Sequence, residues 1–320
     1  MTRFLRMGAL WLAAAGCVLT SGLALAQASF VTVLTGGTSG VYYPLGVALS
    51  QLYAKALPGA RVSVQATKAS AENLNLIEAG RGEIAFTLGD ALSDAWRGSA
   101  EAGFPKPLKK LRTVAGIYSN YIQVVASADS GIRTLADLKG KRLSVGAPKS
   151  GTELNARAIL KAAGLTYADL GKVEYLGFGE SVELMKNRQL DATLQSAGLG
   201  VSSLRDLATA MKIVVVPVPP EVVARVGDPA YQVASIPART YDGQEADVPT
   251  AAVQNYLVTS EAVPADEVYA MTKTLFTNLP ALVAAHSAAK GISPEHAYKG
   301  APVPLHPGAE RYWRETGLLK

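Results

Sequence analysis

The chain has 320 residues, 49% of them hydrophobic and 18% charged, with a net charge of +5, one cysteine and three histidines. So mild and evenly spread a charge argues against a nucleic-acid binder, and a single cysteine excludes an internal disulfide framework. The length exceeds one typical core and suits two lobes.

Residues 1–26 begin with Arg3 and Arg6, continue through an apolar stretch over 8–19, and end on Ala24-Leu25-Ala26. This is the pattern of an export signal with an Ala-x-Ala cleavage site. Cys17 would be the lipidated residue of a lipoprotein signal, but Ala14 stands where a leucine is expected, so cleavage after Ala26 is the reading. Removing the segment takes away Arg3, Arg6 and the cysteine and lowers the net charge to +3. No other stretch is an apolar run of membrane-spanning length.

The mature part predicts strands and helices in alternation. A strand over 31–34 runs into Thr35-Gly36-Gly37-Thr38-Ser39-Gly40-Val41-Tyr42-Tyr43-Pro44 and a helix over 45–56. A strand over 61–65, a helix over 71–79 and a strand over 84–88 follow. Such alternation means a parallel sheet with helices on its faces. A second series comprises a strand over 122–126, a short helix over 135–139, and strands over 142–145, 173–175, 192–194 and 213–216. Helices over 152–163 and 182–187 lie between them. Thr134 with Asp137, and Ser150 with Glu153, read as capping boxes, while Gly140 and Gly164 read as stops. Residues 217–256 read as irregular and return the chain to the first lobe. Helical spacing over 265–290 and an aromatic helix with Tyr312 and Trp313 close the chain.

Two Gly/Ser loops stand out, each between a strand and a helix. Glycines let backbone approach a ligand, and free N–H groups at a helix start hold a carboxylate or phosphate. The second loop, Gly146-Ala147-Pro148-Lys149-Ser150-Gly151-Thr152, nearly spells a nucleotide P-loop, but Thr152 stands where that motif requires lysine. A cleft between the loops would clamp an anion from both sides; alternatively, Ser150 merely caps its helix. A third stretch, Thr67-Lys68-Ala69-Ser70-Ala71-Glu72-Asn73, offers Thr67 and Ser70 as donors, Asn73 to orient an anion and Lys68 as a charge. Asp90 ends a strand where α/β sheets place ligand-facing residues, or else caps the next helix. One tyrosine from each of the pairs Tyr42/Tyr43 and Tyr118/Tyr121 is expected to face the ligand.

Signals for catalysis are thin. His286, His296 and His306 lie ten residues apart, away from every Gly/Ser loop, and match no zinc signature. No Gly-x-Ser-x-Gly elbow is present. The reading is therefore of no enzyme, no metal and no cofactor. A periplasmic hydrolase or transferase on an anionic substrate, and a receptor serving a signalling partner, are the alternatives.

The ordered set formed by residues 35–46, Ala66-Thr67-x-x-Ser70-x-Glu72-Asn73-Leu74, Asp137-Leu138-Lys139-Gly140-Lys141, residues 146–157 and Leu305-His306-Pro307-Gly308-Ala309 resembles the TAXI solute receptors of TRAP transporters. The resemblance implies a two-lobed α/β periplasmic binding protein of type II. Each lobe would be a mixed sheet flanked by helices, closing on a small carboxylate for delivery to an ion-driven permease. The lobes would be residues 27–120 with 232–320, and residues 121–231; the protein would be a monomer. Carried over by motif, the implied ligand contacts are Gly37, Thr38, Ser39, Gly40, Val41 and Tyr42, then Thr67, Ser70, Asn73, Asp90 and Tyr118, and Ser150, Gly151 and Thr152. The loop Gln195-Ser196-Ala197-Gly198, after the 192–194 strand of the second lobe, is added to the set, with Gln195 and Gly198 as its contacts. Many family members have two glycines at Lys68-Ala69, so glutamate is not assumed as the ligand.

Overall fold

The computed structural model describes residues 29–320, so the expected export signal and Cys17 lie outside the described residues. The first block holds β1 (Phe30–Leu34), α1 (Tyr42–Ala56), β2 (Arg61–Gln65), α2 (Ser70–Glu78), β3 (Ile84–Leu88) and α3 (Gly89–Arg97). The long strand β4 (Leu111–Ser127) leads to β5 (Arg142–Ser144), α4 (Gly151–Ala162), β6 (Lys172–Glu174), α5 (Phe178–Lys186) and β7 (Ala192–Ala197). Then come α6 (Ser202–Ala210), β8 (Ile213–Val216), α7 (Pro220–Val226), β9 (Tyr231–Ile236) and a second long strand, β10 (Val248–Ser260). The chain ends with α8 (Ala265–Thr277), α9 (Leu279–Ala285), α10 (Pro294–Ala297) and α11 (Pro307–Glu315).

The ten strands of the described residues join one mixed sheet, in the order β2-β1-β3-β10-β4-β7-β5-β6, with β8 beside β4 and β9 beside β10. Strands β1, β2 and β3 pair in parallel, as do β5, β6 and β7. Between these blocks β10 and β4 run antiparallel to each other and to the neighbouring strands. Parallel strands need crossover helices, and these cover the faces. The two apolar layers on the two faces each draw on both blocks: Leu34, Leu88, Ile122, Leu143 and Ile159 in one, Val31, Leu45, Val125, Val182 and Trp313 in the other. The separate sheets expected for two lobes are thus two parallel blocks welded by a pair of long strands.

The stretch over 217–256 is not irregular. It holds α7, β9 and most of β10, and β9 pairs with β10 from Tyr231↔Val253 to Ile236↔Val248. The helix expected over 265–290 breaks after Thr277, and Pro280 stands in the first turn of α9. Helix α5 starts four residues before its expected position.

The C-terminal Leu305–Ala309 motif has a structural task. His306 donates its backbone N–H to Thr113 O at 2.9 Å, and its Nδ1 accepts from Gly308 N–H at 3.1 Å, capping α11 with Pro307 at the first position. His286 likewise accepts from Ala288 N–H at 3.1 Å. Burial lowers the pKa of both imidazoles, which suits neutral rings acting as acceptors.

Candidate functional site

Four helices follow, after short loops, the C-terminal ends of parallel strands: α1 after β1, α2 after β2, α4 after β5 and α5 after β6. Ligands of open α/β sheets bind at that end of the strands, where helix N-termini present unpaired N–H groups and the positive end of the dipole. All four starts meet on one cavity of about 620 Å³. Gly37, Thr38, Ser39, Gly40, Val41 and Tyr42 line it from the first loop, Thr67 and Ser70 from the second. Ser150, Gly151 and Thr152 face them from the α4 start, and Tyr118 lies in β4. Tyr43 and Tyr121, the partners in the two tyrosine pairs, do not line the cavity.

Helices α1 and α2 carry no side-chain cap, their N-cap residues being Val41 and Ala69. The α4 start is different, because Ser150 Oγ accepts from Glu153 N–H at 3.1 Å. The reverse arm of the expected capping box is missing: Glu153 pairs instead with Arg157 at 2.7 and 2.8 Å. At α5 the Glu180 carboxylate reaches back to Gly177 N–H at 3.0 Å. Lys68 and Glu180 are the cationic and anionic residues of the lining.

Four residues expected at the ligand lie elsewhere. Asn73 is buried behind the loops, donating to Thr35 O at 2.7 Å and Phe86 O at 2.8 Å and accepting from Thr67 Oγ1 at 2.6 Å. It orients the loops, not an anion, and Thr67's hydroxyl, already held by Asn73 and by Thr35 O at 2.8 Å, belongs to the same frame. Asp90 faces away from the cavity into a contact with Asn155 and Tyr231. Gln195 is fully buried, its Oε1 accepting from Ser203 Oγ at 2.7 Å. Gly198 permits close packing: a Cβ there would lie 2.7 Å from Ala288 Cβ and 3.2 Å from the Tyr118 ring.

Ser196 and Ala197, the middle of the 195–198 stretch, do line the cavity. Several further lining residues have no counterpart among the sequence candidates: Asn120 in β4, and Tyr175, Gly177, Phe178 and Glu180 around the start of α5, complete the wall. Asn120 belongs to a buried polar chain at the β4–β10 crossing. Asn255 accepts from Tyr42 Oη at 2.5 Å and donates to Tyr118 O and Asn120 Oδ1, both at 2.8 Å, while Asn120 donates to Ser196 O at 2.8 Å. Tyr118 Oη and Ser196 Oγ are buried without partners, and burial pushes the Tyr118 phenol well up, keeping it a neutral donor.

The walls touch across the cavity. Glu72 N–H donates to Lys149 O at 3.2 Å, and Ser202 Oγ donates to Ser39 O at 3.0 Å. A Cβ on Gly151 would lie 2.5 Å from Ser70 Oγ and 2.6 Å from Leu88 Cδ1, so only glycine lets the α4 start approach α2 this closely. The arrangement is a half-open chamber lined by helix starts and by the rings of Tyr42, Tyr118, Tyr175 and Phe178.

Solved structures with the same architecture include a periplasmic transporter protein at 16% identity and TM-score 0.56, covering 90% of this chain and 93% of its own length. A protein of Bordetella bronchiseptica aligns at 18% identity and TM-score 0.51, over 91% of this chain and 82% of that one. A protein described as an L-cystine ABC transporter of Listeria monocytogenes aligns at 16% identity and TM-score 0.51, over 84% and 98%. At these identities the likeness establishes the α/β fold of periplasmic binding proteins. Residues 33–317 match the model of the NMT1-like family, and the chain belongs to that family.

Proposed function

We propose that the protein is an exported solute receptor that captures a small carboxylate between two lobes and delivers it to a TRAP-type membrane permease. The observation that carries this reading is the meeting of four helix N-termini on one chamber whose lining has a single cation, Lys68. Each helix terminus stabilises an anion by ~0.3–2 kcal/mol, depending on burial, so four buried termini acting together at the upper end come to about micromolar affinity. The anionic end rests on the uncapped starts of α1 and α2, and Tyr42, Tyr118 and Phe178 enclose the body. The TRAP assignment rests on the motif resemblance to TAXI receptors. An ABC permease is the competing partner, favoured by the description of the Listeria structure.

We take the lobes to cross near residue 120, where β4 changes partner from β10 to β7, and near residue 253, where β10 changes partner from β9 to β3. Residues 232–252 then go with the second lobe. Closure acts as a switch because both lobes touch the ligand and so bind it better when shut.

A thermal-shift panel on the mature chain, with succinate, 2-oxoglutarate, L-glutamate, a neutral sugar and a neutral amino acid, tests the ligand class. Stabilisation confined to anionic compounds supports it, whereas stabilisation by the sugar alone, or turnover of any compound, overturns it. Association with a TRAP or an ABC permease co-expressed in membranes decides the partner.

A further inference from the structure

The carboxylate of Asp90 stands about one turn along α4 from the chamber, outside its lining. Its Oδ2 accepts from Asn155 Nδ2 at 2.6 Å and from Tyr231 Oη at 2.8 Å, its Oδ1 accepts from Ala91 N–H at 2.8 Å, and Asn155 Nδ2 also donates to Tyr231 Oη at 2.7 Å. The three residues come from three elements: Asp90 from α3 in the β1–β2–β3 block, Asn155 from α4 in the β5–β6–β7 block, and Tyr231 from the start of β9. All three are buried.

Gly151 and Asn155 are four residues apart on α4 and so share one face of it. Gly151 meets Ser70 and Leu88, and one turn further on Asn155 meets Asp90, two residues beyond Leu88. One face of α4 is therefore docked along the β3–α3 junction, with its ligand-facing end at the chamber and its polar contact behind. Arg157, on the same helix, adds a bond to Glu101 O at 2.9 Å.

We propose that Asp90, Asn155 and Tyr231 form a latch that holds the two parallel blocks together behind the chamber, so that the shut form is populated before any ligand arrives. Asp90 is then a positioning residue: it sets where the α4 start stands, without touching solute. A buried carboxylate with two donors from other elements is a strong cross-link, and leaving those donors unpaired in the shut form disfavours that form. Opening the cleft would hydrate all three groups, so the latch favours closure without forbidding release. The charged groups around it are Asp94 on α3, Asp228 before β9, Arg157 and Lys161 on α4, Glu101, and Arg225 on α7, all lining a groove of about 500 Å³. The effect on affinity rests on the receptor reading above; the effect on closure does not.

The test uses ligand-free mature protein, which contains no cysteine in residues 27–320. Spin labels go on exposed Lys55→Cys and Lys139→Cys, one in each block, and the distance distribution is measured by double electron–electron resonance. The background protein should show a population at the distance of the shut form. Asp90→Ala should shrink the ratio of shut to open molecules by about fivefold or more, the lower end of typical coupling effects. Tyr231→Phe, which removes one hydroxyl and keeps the ring, should shift it in the same direction by less, with circular dichroism unchanged. Absence of the shut distance from the background protein, or its persistence undiminished in both variants, overturns the latch. Because no solute is added, failure to find a ligand leaves this outcome readable.

Discussion

The two walls of the chamber are built on the same strand–loop–helix plan yet finish their helix starts differently. On the β1–β2 side the N-cap residues Val41 and Ala69 bring no capping side chain. The α1 start has its N–H groups free of side chains, while at α2 Thr67 Oγ1 accepts from Ala69 N–H at 2.9 Å and Glu72 from Lys68 N–H at 2.6 Å. The loops are pinned from behind by the Asn73–Thr67–Thr35 frame. On the β5–β6 side Ser150 and Glu180 already bond to N–H groups of their own helix starts. An uncapped, rigidly backed N-terminus is preorganised for an outside anion, whereas a capped one has part of its donor capacity engaged. In the function proposed above, the α1 start on the first wall is then the primary anion holder and the second wall a closing surface.

The largest expected effect comes from the frame of the first wall. Asn73→Ala removes the bond to the Phe86 carbonyl and one of the two side-chain bonds to the Thr35 carbonyl, leaves Thr67 held by Thr35 O alone, and should cost about 3 kcal/mol in chemical denaturation. A loss under about 1 kcal/mol would remove the contrast between the walls.

Next in size is the pH response of Asp90. Burial is the main cause that pushes its pKa from 3.8 up to about 6, partly offset by the bonds from Tyr231 and Ala91. Because the folded value lies above the unfolded one, the folded chain binds the proton more tightly. That contribution to stability is full below about pH 3.8 and is lost as pH rises to about 6. The window corresponds to on the order of 3 kcal/mol. Denaturation curves across it should show Asp90→Asn gaining relative to the unaltered chain as pH rises; parallel curves would deny the shift.

Ser150→Ala removes the α4 cap and should cost about 1 kcal/mol while leaving export intact. Its effect on anion affinity should be smaller than that of any change that disturbs the first wall. A larger effect on binding than on folding would make Ser150 a ligand contact after all.

The smallest effect falls on Ala69, whose φ of 66° and ψ of −167° lie in a region that glycine adopts and alanine resists. Ala69→Gly should stabilise the protein by about 1 kcal/mol, the relief of strain exceeding the added chain entropy. Destabilisation in a melting experiment would show the strain to be absent.

Local signals made much of this legible. Strands over 61–65, 84–88 and 213–216 match β2, β3 and β8 because each is a short apolar or alternating run between turn residues. The Gly/Ser loops were readable for the same reason, since glycine and Pro44 mark a helix start in the chain itself. The long strands were not. Ser119, Asn120, Gln254 and Asn255 interrupt their apolar pattern, and those residues are polar because they pair with one another at the crossing. The α5 start was missed because Gly177-Phe178-Gly179 reads as loop, with Glu180 three positions on as the remaining helix signal. Asp90 sits at the end of a strand, where ligand contacts are expected, but only the packing of α4 and β9 reveals that its partners are protein groups.

The central claim is that an anion sits on the first wall. The most direct measurement is amide chemical-shift mapping of the mature protein, titrated with the anionic compound that stabilises it most. The account predicts that the largest shifts fall on Gly37–Tyr42 and Ser70–Ala71, with smaller ones at Gly151–Thr152. Shifts concentrated at Gly151–Thr152 and Phe178–Glu180, with residues 37–42 unmoved, would contradict it.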